Sequence, residues 1–273
     1  MNNIISVILP YYNRKNLLKL TLDSFQYFYA NNADLEIVII DDGSNVENKI
    51  DDIITLYNLN IKLITIKNKN GINPCYVYNV GVRESSGDIL VLSSPETLHT
   101  TNMFTVSNNF NELNDATYVQ FSVFCLTDMK FKEYLLSVKN NFCNKLEYIE
   151  QNNHLFYEDL GVNTDYFNNV YGSWYIHSKI CPSSMNFFSA ITRKTYYTLS
   201  GFDERFRYGV GYDDEEFANR VVNTVDNIVW IDNAVAIHID HEIVAPLSNM
   251  CNLTLFNEVK TNAYKQNNTW GQL

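Results

Sequence analysis

The chain has no close cysteine pair, no long apolar run and no excess of basic charge, and each absence removes a class of protein. Cys75, Cys125, Cys143, Cys181 and Cys251 are scattered and odd in number. Without a CxxC spacing they argue against a zinc cluster or a disulfide framework and for free thiols in a reducing compartment. No stretch approaches the ~20 apolar residues that a membrane span needs. The first residues, Met1-Asn2-Asn3-Ile4-Ile5, soon meet Pro10 and Asn13-Arg14-Lys15. That pattern lacks the charged segment and apolar run of a signal peptide, so a cytoplasmic location is expected. A net charge of −11 opposes a general surface for nucleic acid or anionic membrane, but not a local pocket for an anionic ligand. No internal repeat and no linker interrupts the chain.

What is present is a globular composition. Of 273 residues, 46% are hydrophobic and 14% aromatic, enough for a sizeable core. The first hundred residues alternate strand and helix signals. Ile4 to Leu9, Glu36 to Ile40, Lys62 to Ile66 and Ile89 to Leu92 are short apolar runs that predict buried strands. Pro10 is expected to end the first of them. Between them, Leu17 to Phe25, Ile50 to Tyr57 and Tyr76 to Val82 predict helices. Buried strands alternating with helices imply a mostly parallel α/β sheet with helices on its faces.

Further strands are expected at Tyr118 to Phe124, Asn186 to Thr192, Ile228 to Ile231 and Ala234 to His241, with a helix near Lys194 to Leu199. Phe131 to Asn169 lacks a clean period and reads as helix and long loop. The tail after Asn262 is expected to pack loosely. The division is then one domain over 1–245, with a first half over 1–100 and a second over 101–245, and a tail over 246–273. Ligands of such sheets bind at the carboxyl ends of the strands. Those ends carry Pro10 to Arg14, Asp41 to Ser44 and Ser93 to Glu96.

The densest chemical signal lies further on, at Gly209-Val210-Gly211-Tyr212-Asp213-Asp214-Glu215-Glu216-Phe217. Two glycines permit a tight turn, and four acids then enter an apolar helix whose dipole favours negative charge at its start. Such a loop can deliver a carboxylate able to take a proton from a hydroxyl. Alone, it is equally the acidic first turn of a surface helix. Asp41-Asp42-Gly43-Ser44 is, alone, equally a turn with a helix cap.

Taken in order, these segments resemble glycosyltransferase family 2, whose members adopt the GT-A fold, a Rossmann-like mixed sheet flanked by helices. The resemblance rests on Pro10-Tyr11-Tyr12-Asn13, Asp41-Asp42-Gly43-Ser44, Asn70-Gly71, Asn79-Val80-Gly81, Ser85-Ser86-Gly87-Asp88, Gly201-Phe202-Asp203-Glu204 and the acidic loop. It spans roughly residues 4 to 242. It implies transfer of a sugar, with inversion, from a nucleotide-sugar, in particular a UDP-sugar, to a glycan or other hydroxyl acceptor. Pro10, Tyr11, Tyr12, Asn13, Asp41, Asp42, Gly71, Asn79 and Ser94 would then form the nucleotide site. Asp214 would be the general base, with Asp213 orienting the acceptor and Trp174 and Tyr212 contacting it.

The chain departs from that pattern in two places. The family's D-x-D metal motif is replaced by Ser94-Pro95-Glu96. The implied Mn²⁺ or Mg²⁺ would rest on Glu96, helped by His238 or His241. By strand alternation these two histidines face opposite sides unless the strand ends between them. Tyr78 stands where the family has an arginine, leaving Arg14, Lys67 or Lys69 to meet phosphate. The lost D-x-D keeps open an inactive nucleotide-sugar or glycan-binding module. A nucleotidyltransferase would need a basic, Gly-rich loop after the first strand, and none follows Leu9.

Overall fold

Seven consecutive buried residues of β1 (Ile5–Tyr11) make the centre of the sheet, because a strand covered on both faces must be apolar throughout. The computed structural model describes residues 4–69, 71–105, 113–138, 141–152, 172–183, 186–242, 251–261 and 269–273. In it, β1 is followed by α1 (Lys15–Tyr29), β2 (Leu35–Asp41), α2 (Asp51–Ile54), β3 (Ile61–Thr65), α3 (Cys75–Glu84), β4 (Ile89–Ser93) and β5 (Thr97–His99). Then come β6 (Thr117–Leu126), α4 (Met129–Ser137), α5 (Phe142–Gln151), β7 (Gly172–Ile176) and β8 (Phe188–Thr192). The chain continues through α6 (Arg193–Thr198), α7 (Asp213–Val222), β9 (Asn227–Ile239) and α8 (Cys251–Thr261).

The sheet order is β3-β2-β1-β4-β8-β6-β9-β5, with β7 paired to β6. β3, β2, β1, β4, β6 and β9 share one direction, and β8, β5 and β7 oppose it. This is the expected mixed, mostly parallel α/β architecture. The carboxyl ends of β1, β2, β4, β6 and β9 lie along one edge, where antiparallel β8 begins. One core packs α1 against the sheet through Leu18, Leu22, Phe25 and Tyr29. The opposite face buries Val77, Val80, Phe202, Phe206 and Phe217.

Several expectations need correction. Pro10 does not end its strand: β1 stays paired with β2 as far as Tyr11↔Asp41. Pairing with β4 stops at Ile8↔Leu92, so the ring and the missing N–H fall where one neighbour has already left. The helix expected at 50–57 is only Asp51–Ile54. The two strands expected at 228–231 and 234–241 are one, β9, interrupted by a bulge that moves the register from Phe121↔Ile231 to Ser122↔Val235. Asp232 anchors that bulge by accepting from Ser122 Oγ and Ser178 N, both at 3.0 Å. β5, of three residues, is too short to show a period, and β7, Gly172-Ser173-Trp174-Tyr175-Ile176, is not an unbroken apolar run. Of the stretch read as helix and loop, 131–138 and 141–152 carry α4 and α5, and the remainder lies outside the described residues, as does the proposed boundary at 245.

The Ser85-Ser86-Gly87-Asp88 motif is an internal fastener. Ser86 N and Gly87 N donate to Glu36 Oε2 at 2.9 Å and Ser6 Oγ at 2.8 Å, tying the α3–β4 turn to β1 and β2. A side chain at Gly87 would stand 2.6 Å from Ser6 N, so close backbone approach requires glycine there. The tail is not loose where it is described: Trp270 is 3% exposed. Its ring lies 4.9 Å from Tyr197 and under the Arg83 guanidinium at 4.3 Å. Trp270→Ala is therefore expected to destabilise the protein by about 3 kcal/mol, read as a lower urea midpoint; an unchanged midpoint would show that the docking carries no stability.

Candidate active site

At the carboxyl edge of the sheet, the loops after β1, β2, β4 and β9 and the segment before α7 enclose a cavity of about 340 Å³. Its walls include Tyr12, Asp42, Lys69, Ser94, Glu96, Asn186, Asp213, Asp214, His238 and His241. Pro10 and Tyr11 form part of the floor. Tyr11 directs its hydroxyl to the Asn48 carbonyl at 2.7 Å, which fixes the ring. Tyr12 lies under Lys69, whose Nζ is 3.7 Å from the ring centroid and 3.3 Å from Asp42 Oδ2. A flat ring, a carboxylate and a cation thus meet at one end of the cavity.

The first two loops are held together by residues that the sequence placed in the ligand site. Asp41 is 1% exposed and accepts from Ser44 N at 2.8 Å and Lys49 Nζ at 2.7 Å. Asn13 N donates to Ser44 Oγ at 2.9 Å, and Asn13 Oδ1 accepts from Asn45 N at 2.9 Å. Asp41 and Asn13 are absent from the cavity wall, and their hydrogen-bonding groups brace the loops. Asn79 is likewise internal. It donates to Phe202 O and Glu204 Oε1 and accepts from Phe202 N and Tyr196 Oη, all between 2.8 and 2.9 Å. The Asn79-Val80-Gly81 and Gly201-Phe202-Asp203-Glu204 motifs bind one another. Gly71, at φ +120, packs on the Arg207 backbone, while its neighbours Ile72 and Asn73 line the cavity.

Trp174 and Tyr212 also lie elsewhere. Trp174 is buried, edge-on to Phe124 at 5.5 Å, and lines a separate cavity. Tyr212 takes a left-handed φ of 66° as the residue before α7 and packs on Phe256 at 5.4 Å. Tyr78, the arginine replacement, is buried with its hydroxyl on Ser93 O at 3.1 Å and Asn186 O at 3.2 Å. Of the cations expected to replace that arginine, Arg14 and Lys69 line the cavity, and Lys67 is exposed and off its wall.

Asp213 and Asp214 open α7. The left-handed turn at Gly211 and Tyr212 swings the chain so that the helix starts against the cavity. Asp213 is 5% exposed and accepts from Asn73 Nδ2 at 2.6 Å. Asp214 accepts from Asn186 Nδ2 at 2.7 Å and from Asn186 N at 3.3 Å. Burial raises both carboxyls, and each repels a neighbouring acid. Asp213 is pushed well above the carboxylate range, and Asp214 is pushed up to about 6 despite its Asn186 bonds. The pair therefore holds a proton at a pH where ordinary aspartates hold none. Glu216 is spent on a fork with Arg220, at 2.6 and 2.7 Å, whose Nη1 caps the carbonyls of Leu199 and Gly201. Glu215 is exposed.

Opposite the aspartates, Glu96, His238 and His241 bring their ligand atoms within 4.8 Å of one another. The pairing Thr97↔His238 sets Glu96 beside β9. β9 ends at Ile239, between the histidines, so strand alternation no longer separates them. Burial would raise the Glu96 carboxyl, but Arg14, with His241 and His238, outweighs it and holds the carboxyl below its usual range. Arg14 Nη1 sits 2.6 Å from Glu96 Oε1. Burial drives the His238 imidazole down to about 4, so it is neutral at pH 7 with a lone pair to give.

Sequence reasoning missed Asn73, Asn186 and Phe187. Lone asparagines carry no motif, and only the fold sets them against the two aspartates.

A parallel first half and an antiparallel return strand make the mixed sheet of the GT-A glycosyltransferases. Residues 6–157 match the glycosyl transferase family 2 profile. That match covers more than half of the chain, and the chain belongs to this family. It is 24% identical over 256 residues to a chondroitin synthase of Escherichia coli, covering 86% of this chain and 34% of that protein. The chain thus spans about a third of the curated relative's length. Among solved structures, S. aureus TarS residues 1–349 with UDP-GlcNAc superposes with a TM-score of 0.63 at 15% identity, over 96% of this chain and 68% of that one. Mannosyltransferase PcManGT from Pyrobaculum calidifontis, with GDP-Man and Mn²⁺, gives 0.57 at 16% identity, over 98% and 66%. At these identities the superpositions speak for the fold.

Asn79→Ala is expected to remove four buried hydrogen bonds and cost about 3 kcal/mol of stability, measured by chemical denaturation. Unaltered stability with loss of nucleotide binding would instead return Asn79 to the ligand site.

Proposed function

We propose that this chain transfers a sugar from a UDP-sugar to a glycan hydroxyl with inversion at the anomeric carbon, using Asp214 as general base. The observation that carries the reading is the placement of the raised Asp213–Asp214 pair across one cavity from both the Tyr12–Asp42–Lys69 end and the Glu96–His238–His241 cluster.

The roles follow from chemistry. Tyr12 offers a ring face to the base, and Asp42 accepts from an N–H of uracil or a ribose hydroxyl. Lys69 and Arg14 face the diphosphate. The acceptor oxygen attacks the anomeric carbon as the bond from that carbon to the diphosphate oxygen breaks. Asp214 takes the hydroxyl proton, and Asp213, oriented by Asn73, contacts the acceptor. One base and in-line attack support inversion. The name of the E. coli relative, chondroitin synthase, supports a glycan acceptor.

The donor set fits a divalent cation. Asp42, Glu96, Asp213 and Asp214 set four carboxyls against two cations, Arg14 and Lys69, on the cavity wall. A diphosphate entering there needs added positive charge. One buried carboxylate and a neutral imidazole are ready ligands; imidazole prefers zinc, copper, iron or nickel to Mn²⁺, but the PcManGT structure carries Mn²⁺. We therefore assign Mn²⁺ to Glu96, His238 and His241, where it would stabilise the leaving diphosphate electrostatically. No described helix is long and apolar enough to cross a membrane.

A second reading, a binding module without turnover, draws on the replaced D-x-D and on Arg14 already neutralising Glu96. Release of UDP from a panel of UDP-sugars with a glycan acceptor separates the two: binding with no release in any combination favours the module.

Asp214→Asn is expected to lower kcat by at least about 100-fold with UDP affinity retained. In the unmutated protein kcat/KM should rise with pH through about 6 as the pair loses its proton. A flat profile between pH 5 and 8, or loss of UDP binding in the variant, would contradict the base assignment. Glu96→Gln is expected to weaken Mn²⁺-dependent UDP binding by about tenfold or more in calorimetry; equal affinity with and without Mn²⁺ in both proteins would overturn the metal assignment.

A further inference from the structure

We infer that Asn186 is the positioning residue of the general base, held in place by two buried tyrosines, Tyr118 and Tyr78. The inference rests on the reading of Asp214 as base but concerns a residue that no motif marks.

Asn186 is 2% exposed and precedes β8. Its backbone N–H and its Nδ2 both donate to Asp214 Oδ1, at 3.3 and 2.7 Å. Its own Oδ1 accepts from Tyr118 Oη at 2.9 Å, and its carbonyl accepts from Tyr78 Oη at 3.2 Å. β6, α3 and α7 thus converge on one asparagine, which has both its N–H and its carbonyl engaged. The amide has one workable orientation. Turned over, its oxygen would face the carboxylate oxygen of Asp214, and two acceptors would repel each other. In the workable orientation the amide oxygen accepts from the Tyr118 phenol. Burial raises the phenols of Tyr118 and Tyr78 above their ordinary value, so both remain protonated donors at any working pH.

The arrangement has two consequences for Asp214. Both donors land on Oδ1, which makes Oδ2 the oxygen available to an acceptor hydroxyl and fixes the plane of the carboxylate. The donors also favour the charged form against burial and against Glu215 and Asp213 beside it on α7. Facing it from other elements are the neutral phenols of Tyr78 and Tyr118, and Glu96, Arg14, Lys69, His238 and His241 line the same cavity. Removing the Asn186 amide deletes the closest support for the anion and leaves the acids in place. The base should then keep its proton to higher pH and lose its orientation, while the nucleotide end, built from Tyr12, Asp42 and Lys69, is untouched.

The test is a carbon-13 titration of the aspartate carboxyls in the full chain, with the Asp214 signal assigned from its absence in Asp214→Asn. Asn186→Ala is expected to move the Asp214 midpoint up by about one pH unit, and Tyr118→Phe to move it the same way by less. UDP affinity should stay within twofold, and Asn186→Gln should recover part of the shift. In turnover assays the acidic limb of kcat/KM should move with the titration, through kcat and not KM. A structural role alone would lower the melting temperature of Asn186→Ala and leave the Asp214 midpoint where it was; that result overturns the inference. If Asn186→Ala does not fold, an unmoved midpoint in Tyr118→Phe overturns it equally. The titration needs no turnover. A shifted midpoint with no transfer from any donor would sustain the role of Asn186 in setting Asp214 and reject the transferase reading instead.

Discussion

The seam between β4 and β8 is the contact on which the site depends. There the parallel half of the sheet meets a strand of opposite direction, with Ser93 opposite Phe188 and Ser94 N reaching Phe187 O at 3.3 Å. A parallel neighbour would have carried its starting end to the far edge of the sheet. The antiparallel one starts where β4 stops. Asn186 and Phe187 therefore stand at the carboxyl edge, beside Ser94 and Glu96 and within reach of Asp214. The run after β4 then turns back as β5 along β9, bringing Glu96 to His238. Two strand reversals put the aspartate pair, Asn186 and the acid–histidine cluster around one hollow.

That hollow gathers acid in a chain that is already acidic overall, and the protein treats its carboxylates in two ways. Those that hold the loops are neutralised and saturated: Asp41 by Lys49 and a backbone N–H, Asp203 by Arg205, Glu36 by three donors from Ser6 and Ser86. At the cavity, Asp42 and Glu96 are paired with Lys69 and Arg14, and the two aspartates that open the acidic helix are left short of positive charge. Asp213 and Asp214 have amide donors and no cation among their hydrogen bonds, so burial drives their protonation upward. Charge repulsion withheld from the scaffold is concentrated at this pair, and strongly perturbed carboxyls in a cleft mark a candidate functional site.

The motifs legible in the sequence divide along the same line. Pro10-Tyr11-Tyr12-Asn13 and Asp41-Asp42-Gly43-Ser44 each contribute some residues to the cavity and others to the brace between loops. Tyr12 and Asp42 face the ligand space, while Asn13, Asp41 and Ser44 bind one another's loops. Asn79-Val80-Gly81 and Gly201-Phe202-Asp203-Glu204 supply no side chain to the cavity wall and instead pack the third helix on the turn before the acidic loop. A motif records that residues are needed together, whether for chemistry or for shape. Hydrogen-bond saturation is what separates the two uses, and it is a property of partners distant in the chain.

By itself, then, the sequence determined the alternation of buried strands and helices, the polar loops at the carboxyl ends of the strands, and the acid pair at a helix start. Each follows from local pattern: apolar runs, turn residues after them, and charge at a dipole. Tertiary structure alone decided which polar residues face the cavity, that Trp174 and Tyr212 do not, and that β9 stops between His238 and His241. It also chose Asn186, a single asparagine, as the partner of Asp214. The physical reason is reach. Pattern reports neighbours a few residues apart, whereas a hydrogen bond across 28 residues or a strand reversal depends on how the whole sheet closes.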